Sequence, residues 1–151
     1  MKYWLMKSEP DEYGITDLKR EKTSLWEGIR NYQVRNFFRD DMNMGDKAFF
    51  YHSNTSVPGV VGEMEVVEVA VPDPFQFDVS SKYFDAKSDK KSPRWLAPTV
   101  AFKKQYKNVI SLDELKNIPA LAESPLVQKG NRLSVVPLTK AEYQAIQKLG
   151  R

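Results

Sequence analysis

An α+β domain built around a bent β-sheet or small β-barrel, with flanking helices, is what this 151-residue sequence predicts. Three observations carry the prediction. Short β-rich runs recur along the whole chain. The strongest of them, Val60 to Val71 (VVGEMEVVEVAV), changes phase part-way. Helical periodicity is confined to short capped segments, so the helices flank a sheet and do not form the core themselves.

Taken in order, Lys2 to Lys7 (KYWLMK) reads as a first strand that Pro10 ends. Asp11 to Lys22 reads as a short surface helix with Tyr13, Ile15 and Leu18 as its apolar members. A second helix is expected after Asn31, whose side chain suits an N-cap, with Val34, Phe37, Phe38 and Met42 as its core-facing stripe. MGDK makes a turn, and Ala48 to Tyr51 (AFFY) is a buried strand. In Val60 to Val71, Glu63 and Glu65 are polar at odd positions but Glu68 at an even one. A slip of one residue turns a face inside out, so a β-bulge or bend is predicted between Val66 and Val67. Asp73 to Arg94 holds no sustained period and reads as a long surface excursion. Thr99 to Phe102 and Leu133 to Val136 are further short strands. Ser111 with Glu114, and Thr139 with Glu142, are capping boxes that start two more helices. No repeat, linker or second domain interrupts the chain, so one domain over residues 1–151 is expected.

Composition narrows the function. The chain is 41% hydrophobic and 28% charged, ordinary for a soluble globular protein. No apolar run approaches the roughly 20 residues of a membrane helix, and the start (MKYWLMKSEP) is too short and polar for a signal peptide. A cytoplasmic monomer is the expectation. With no Cys, disulfides and thiolate metal sites are excluded, and a single His argues against a histidine zinc site. No metal and no cofactor are expected. The net charge of +3 favours an anionic partner weakly.

The stretch WEGIRNYQVRN, residues 26 to 36, gathers residues that core packing does not require. A base drawn out of its stack needs a flat apolar wall, donors and acceptors for its edge, and cations for the phosphates. Trp26, Tyr32 and Tyr51 are candidate walls. Ser8, Asn31, Asn36 and Ser53 carry short polar groups suited to a base edge. Arg30 and Arg35 straddle a helix N-terminus, and Gly28 permits close backbone approach. Each has a plainer alternative: Trp26 and Tyr51 as core, Ser8 as a loop hydroxyl, the arginines as a solvated helix face. His52 beside Ser53 invites a hydrolytic triad with Asp85, but adjacent strand residues point to opposite faces and no GxSxG turn is present. A pocket-lining or backbone-bonded His52 is expected instead. KYFDAKSDKKSPRW holds Lys82, Lys87, Lys90, Lys91 and Arg94, either a solvated loop or a phosphate clamp anchored by Trp95. Arg132 and Ser134 alternate on the last strand and are placed on one face, towards the pocket.

WLMKSEPDE, LWEGIRNYQVRNFFRD, FFYHS, YFDAKS with PRW, and PLVQKGNRLSV together resemble the EVE domain family, a branch of the PUA-like barrels. The resemblance runs from residue 4 to 136. It implies a PUA-like bent sheet or small barrel with flanking helices and a pocket for a modified base. The related YTH domains hold a methylated adenine in an aromatic cage, and share a Lys-Ser pair and a Trp with Lys7, Ser8 and Trp26 here. One departure stands out: APTVA puts Thr99 where similar chains carry an Asp, which replaces a charge-assisted hydrogen bond with a neutral one if that residue meets the ligand.

The expected function is a nucleic-acid-binding module for a modified base, in DNA more than RNA, without turnover. Trp26 and nearby aromatics form the cage; Ser8, Asn31 and Ser53 read the edge; Lys7, Arg30, Arg35, Lys87 and Arg132 hold phosphates. The alternative is an ASCH-like hydrolase using Lys7, His52 and Asp85 or Glu9, which rests on likeness of fold alone. An adaptor with a vestigial pocket is a third reading.

Overall fold

Six strands form one mixed sheet in the order β2-β5-β4-β3-β1-β6, in a computed structural model that describes residues 1–151. β1 (Tyr3–Ser8) runs parallel to β3 (Lys47–His52) and antiparallel to β6 (Val135–Leu138). β4 (Gly59–Pro72) joins β3 to β5 (Leu96–Ser111), and the short β2 (Thr23–Leu25) closes the other edge against β5. The parallel pair demands a crossover, and α1 (Ile15–Glu21), β2 and α2 (Tyr32–Asn36) supply it. The sheet stays open, so of the two expected forms it is the bent sheet that the chain adopts.

Its bend comes from slipped register. β4 and β5 lose register between Val66 and Glu68, where the polar alternation changes phase, and again at three other points. Gly62 allows one of these close approaches, since a Cβ there would lie 2.3 Å from the Lys104 carbonyl oxygen. Thr99 to Phe102 proves to lie in the first half of a 16-residue strand whose charged second half the apolar pattern does not reveal.

Two apolar layers flank the sheet, and alternation along β3 sorts them. Ala48 and Phe50 face a layer with Trp4, Met6, Ile15, Leu18, Val34 and Phe38, covered by α1 and α2. Phe49 and Tyr51 face the other, with Leu5, Leu115, Tyr143 and Ile146 from the sheet, α3 (Leu112–Lys116) and α4 (Lys140–Gln147). Asn31 caps α2 by accepting from the Val34 N–H at 3.0 Å, and both expected capping boxes are present. After α2 the chain widens into a π-turn over Phe37–Asp41, which keeps Phe38 and Met42 in the core.

Some boundaries differ from expectation. The first helix begins at Ile15, four residues late, because Glu9 to Tyr13 forms turns and Asp17 accepts from the Gly14 N–H. β6 begins at Val135, so Arg132 and Ser134 precede the strand. β2 carries too few apolar residues to announce itself. The excursion after β4 lacks a period, as expected, yet it is tied down by buried polar groups. Gln76 is fully buried and bonds the backbone of Asp73 and Trp95, and the Trp95 indole N–H donates to Asp85 at 2.8 Å. Buried amides need such partners, and here the partners fix the loop.

Candidate functional site

A cavity of about 660 Å³ opens between the end of β1, α1, β2, the 26–29 segment, the excursion and the 132–134 segment. That is within the usual range for a small-molecule site, roughly 300–1,000 Å³. Its position follows from the sheet. β1 and β3 end side by side at Ser8 and His52, and the crossover departs there, leaving a gap that nothing in the core fills.

Trp26 forms the inner wall. It is only 6% exposed, its ring packs edge-on to Phe50 at 5.1 Å, and it also lines the cavity. Core residue and pocket wall are the same side chain, and the burial makes the wall rigid. Gly28 follows with φ +85°, and a Cβ there would meet Tyr83 Cε2 at 3.0 Å. Both the backbone conformation and the space therefore require glycine. The Gly28 N–H donates to Asp73 Oδ2 at 2.7 Å, and Arg30 donates to the same oxygen at 2.9 Å and to the Tyr83 carbonyl at 2.8 Å. Asp73 is 1% exposed, so this node holds the 26–30 segment against the excursion. Tyr83 and Phe75, stacked at 6.0 Å, make the outer wall.

The structure brings Lys7, Ser8, Trp26, Gly28, Ser53, Arg132 and Ser134 together around this cavity. It places the other candidates elsewhere. Asn31 caps α2, and Asn36 accepts from the Arg35 Nε. Tyr32 is 53% exposed and stacks on Trp95, while Tyr51 is buried in the opposite layer. Arg30 is committed to Asp73 and Tyr83, and Arg35 donates to the Arg94 carbonyl. Lys87 sits in a separate, shallower concavity of the excursion. Thr99 donates to Glu68 on β4 and does not line the cavity. His52 Nε2 accepts from the Ile15 N–H at 3.1 Å, so it anchors the start of α1. Neither His52 nor Asp85 reaches the cavity that Lys7 enters, so that acid–base trio is not assembled.

Tyr13, Glu27, Phe75, Tyr83 and Leu133 also line the cavity, and none of them was expected there from the sequence. Tyr83 carried a signal, an aromatic inside a basic loop opposite a glycine-containing turn. The others had none.

Charge in the cavity is mixed. Lys7 and Arg132 face Glu9, Glu12, Glu21 and Glu27. Burial lowers the Lys7 ammonium below the usual lysine range. Glu27 is raised, chiefly by burial and then by the Asp73 and Glu21 carboxylates. Tyr13, donating to Glu21 at 2.7 Å, is pushed up to about 12, mainly by burial. An acid-leaning interior repels phosphate and suits a neutral heterocycle rich in donors.

The EVE domain profile matches residues 2–149. Thymocyte nuclear protein 1 of Mus musculus is 41% identical over 97% of this chain and 73% of its own length. A Pseudomonas syringae crystal structure superposes with a TM-score of 0.92 at 48% identity, covering 97% of this chain and 98% of that one. Human THYN1, solved in complex with 5-methylcytosine-containing DNA, gives 0.87 at 37% identity over 99% of this chain and 97% of its own. A Zymomonas mobilis ASCH protein reaches 0.54 at 15% identity and shares the fold alone. With almost every residue inside the matched span, the chain belongs to the EVE domain family.

Proposed function

We propose that this EVE domain binds DNA carrying a methylated base, with the base turned out of the helix into the Trp26 cavity and released unchanged. The observation that carries the reading is the cavity itself, walled by a rigid indole, in a chain 37% identical to a protein solved with 5-methylcytosine-containing DNA. A turned-out base needs a stacking surface, and such stacking contributes about 1–3 kcal/mol. Trp26 and Tyr83 offer that surface. Lys7, Ser53, Ser134 and Arg132 line the cavity and make no side-chain hydrogen bond within the protein, the Lys7 ammonium resting 5.4 Å from the Tyr51 ring centroid; they are the groups offered to base and backbone. The C5 methyl of the base is recognised by apolar contact and desolvation.

The test is titration of labelled duplexes that differ only in one methyl group, using wild type, Trp26→Phe and Tyr83→Ala. Phe preserves the core contact with Phe50 better than Ala. Wild type is expected to favour the methylated strand and both variants to lose about tenfold or more of that affinity. Equal affinity of wild type for both strands overturns the proposal.

A further inference from the structure

We propose that Glu27 is the residue that separates 5-methylcytosine from thymine in this cavity. The inference rests on the methylated-base reading above and adds the group that sets its specificity. Shape cannot make the distinction. Both bases carry a methyl at C5 and a carbonyl at C2, and they differ only at C4 and N3. Methylcytosine offers an amino group beside a ring lone pair, whereas thymine offers a carbonyl beside an N–H. A wall that admits the methyl of one admits the other, and thymine is abundant in any DNA. Discrimination has to come from a polar group on that edge.

Four carboxylates line the cavity, and three are already engaged. Glu9 accepts from Asn54 Nδ2 at 3.2 Å, Glu12 pairs with Lys82 at 3.4 Å, and Glu21 accepts from Tyr13 at 2.7 Å. No donor of the protein lies within bonding reach of the Glu27 carboxylate. Its backbone is also fixed. Its own N–H donates to the Leu25 carbonyl at 3.1 Å, and the next N–H is held by Asp73. It therefore stands between the Trp26 wall and the Gly28 turn as an exposed, unpaired acceptor on the cavity lining.

Its chemistry matches one edge. A carboxylate only accepts, and set against C4 it accepts from the amino group of methylcytosine. Against thymine the same carboxylate meets the C4 carbonyl oxygen, acceptor against acceptor. An acceptor that gains the amino group and opposes the carbonyl discriminates by about tenfold.

The experiment uses three duplexes with cytosine, 5-methylcytosine or thymine opposite an abasic site, so that unpairing costs are equal. Wild type and Glu27→Gln are titrated by fluorescence anisotropy. The Glu27 side chain makes no internal hydrogen bond, so the variant keeps the fold. A glutamine amide turns over to present either order of donor and acceptor. The methylcytosine-to-thymine ratio should therefore collapse to within about threefold, while the preference for methylcytosine over cytosine persists. A variant that keeps the wild-type methylcytosine-to-thymine ratio overturns the role of Glu27, and so does a wild type that does not separate the two bases. A wild type that fails to prefer methylcytosine over cytosine overturns the underlying reading as well.

Discussion

Asp73→Asn perturbs the node that joins both walls of the cavity with almost no change in volume. Asp73 Oδ2 accepts from the Gly28 N–H at 2.7 Å and from Arg30 at 2.9 Å, while Oδ1 accepts from the Phe75 N–H at 2.8 Å. An asparagine can keep one of these oxygens, so an NH₂ group then faces either two donors or one. Keeping Oδ2 as the oxygen loses the charge but retains weaker bonds to Gly28 and Arg30. Hydrogen bonds to a charged acceptor are worth about 1.5–3 kcal/mol each and neutral ones about half that. Arg30 retains its bonds to the Tyr83 carbonyl, so it is not orphaned. The net loss works out at about 2–4 kcal/mol. For a chain of this size that lowers Tm by roughly 5–15 °C. Urea unfolding measures the first quantity. Titration with methylated duplex measures the second consequence, a fall in affinity as Gly28 and Tyr83 lose their alignment. A variant within about 0.5 kcal/mol of wild type, with unchanged affinity, would refute the claim that Asp73 positions the site.

Three other outcomes follow from single residues. Gly28→Ala forces an alanine to φ +85° and drives its Cβ against Tyr83, so stability should drop by about 1–2 kcal/mol and affinity for methylated duplex should fall with it. His52 is lowered by burial, so the folded state disfavours its proton. The unfolded chain takes that proton near pH 6.5, so stability is full above that value and is lost as pH falls towards the folded pKa. The melting-temperature gap between wild type and His52→Gln should accordingly narrow from about pH 7.5 to about pH 5.5, and a constant gap contradicts this. Lys87→Ala should reduce the salt slope of DNA binding by about one and leave the methylated-to-plain ratio unaltered if that lysine meets a phosphate.

The fold was legible where its signals are local. Capping at Asn31, Ser111 and Thr139 is a matter of side chains within three residues, and the phase change at Val66 to Glu68 is written in the polar pattern itself. β2 and the far half of β5 were not, because their stability comes from pairing partners distant in sequence. The site divides in the same way. Trp26 and Gly28 stand out within the 26–36 stretch, Ser8 as a short polar group and Lys7 through the family resemblance, and all four line the cavity. Tyr32, Asn36 and Arg35 belong to the same stretch, but the helical turn beginning at Tyr32 rotates them towards Trp95 and Arg94. Tyr83 is brought to the pocket through Asp73 and Arg30, and that polar node has no sequence pattern.

The two walls of the cavity are held by different forces, and this sets what a mutation can do. Trp26 belongs to the apolar layer with Phe50, so loosening it costs fold and site together. Tyr83 and Phe75 hang on the excursion, whose anchors are Gln76, Asp73, Asp85 and the arginine at position 30, all acting through hydrogen bonds in partial or full burial. Such bonds are strong only while water is excluded and their partners are aligned. A single mispaired group there shifts the outer wall without touching either apolar layer. Changes at Asp73 or Gly28 should therefore reduce base binding at temperatures where the sheet is still folded, whereas truncating Trp26 to alanine should lose both in one transition.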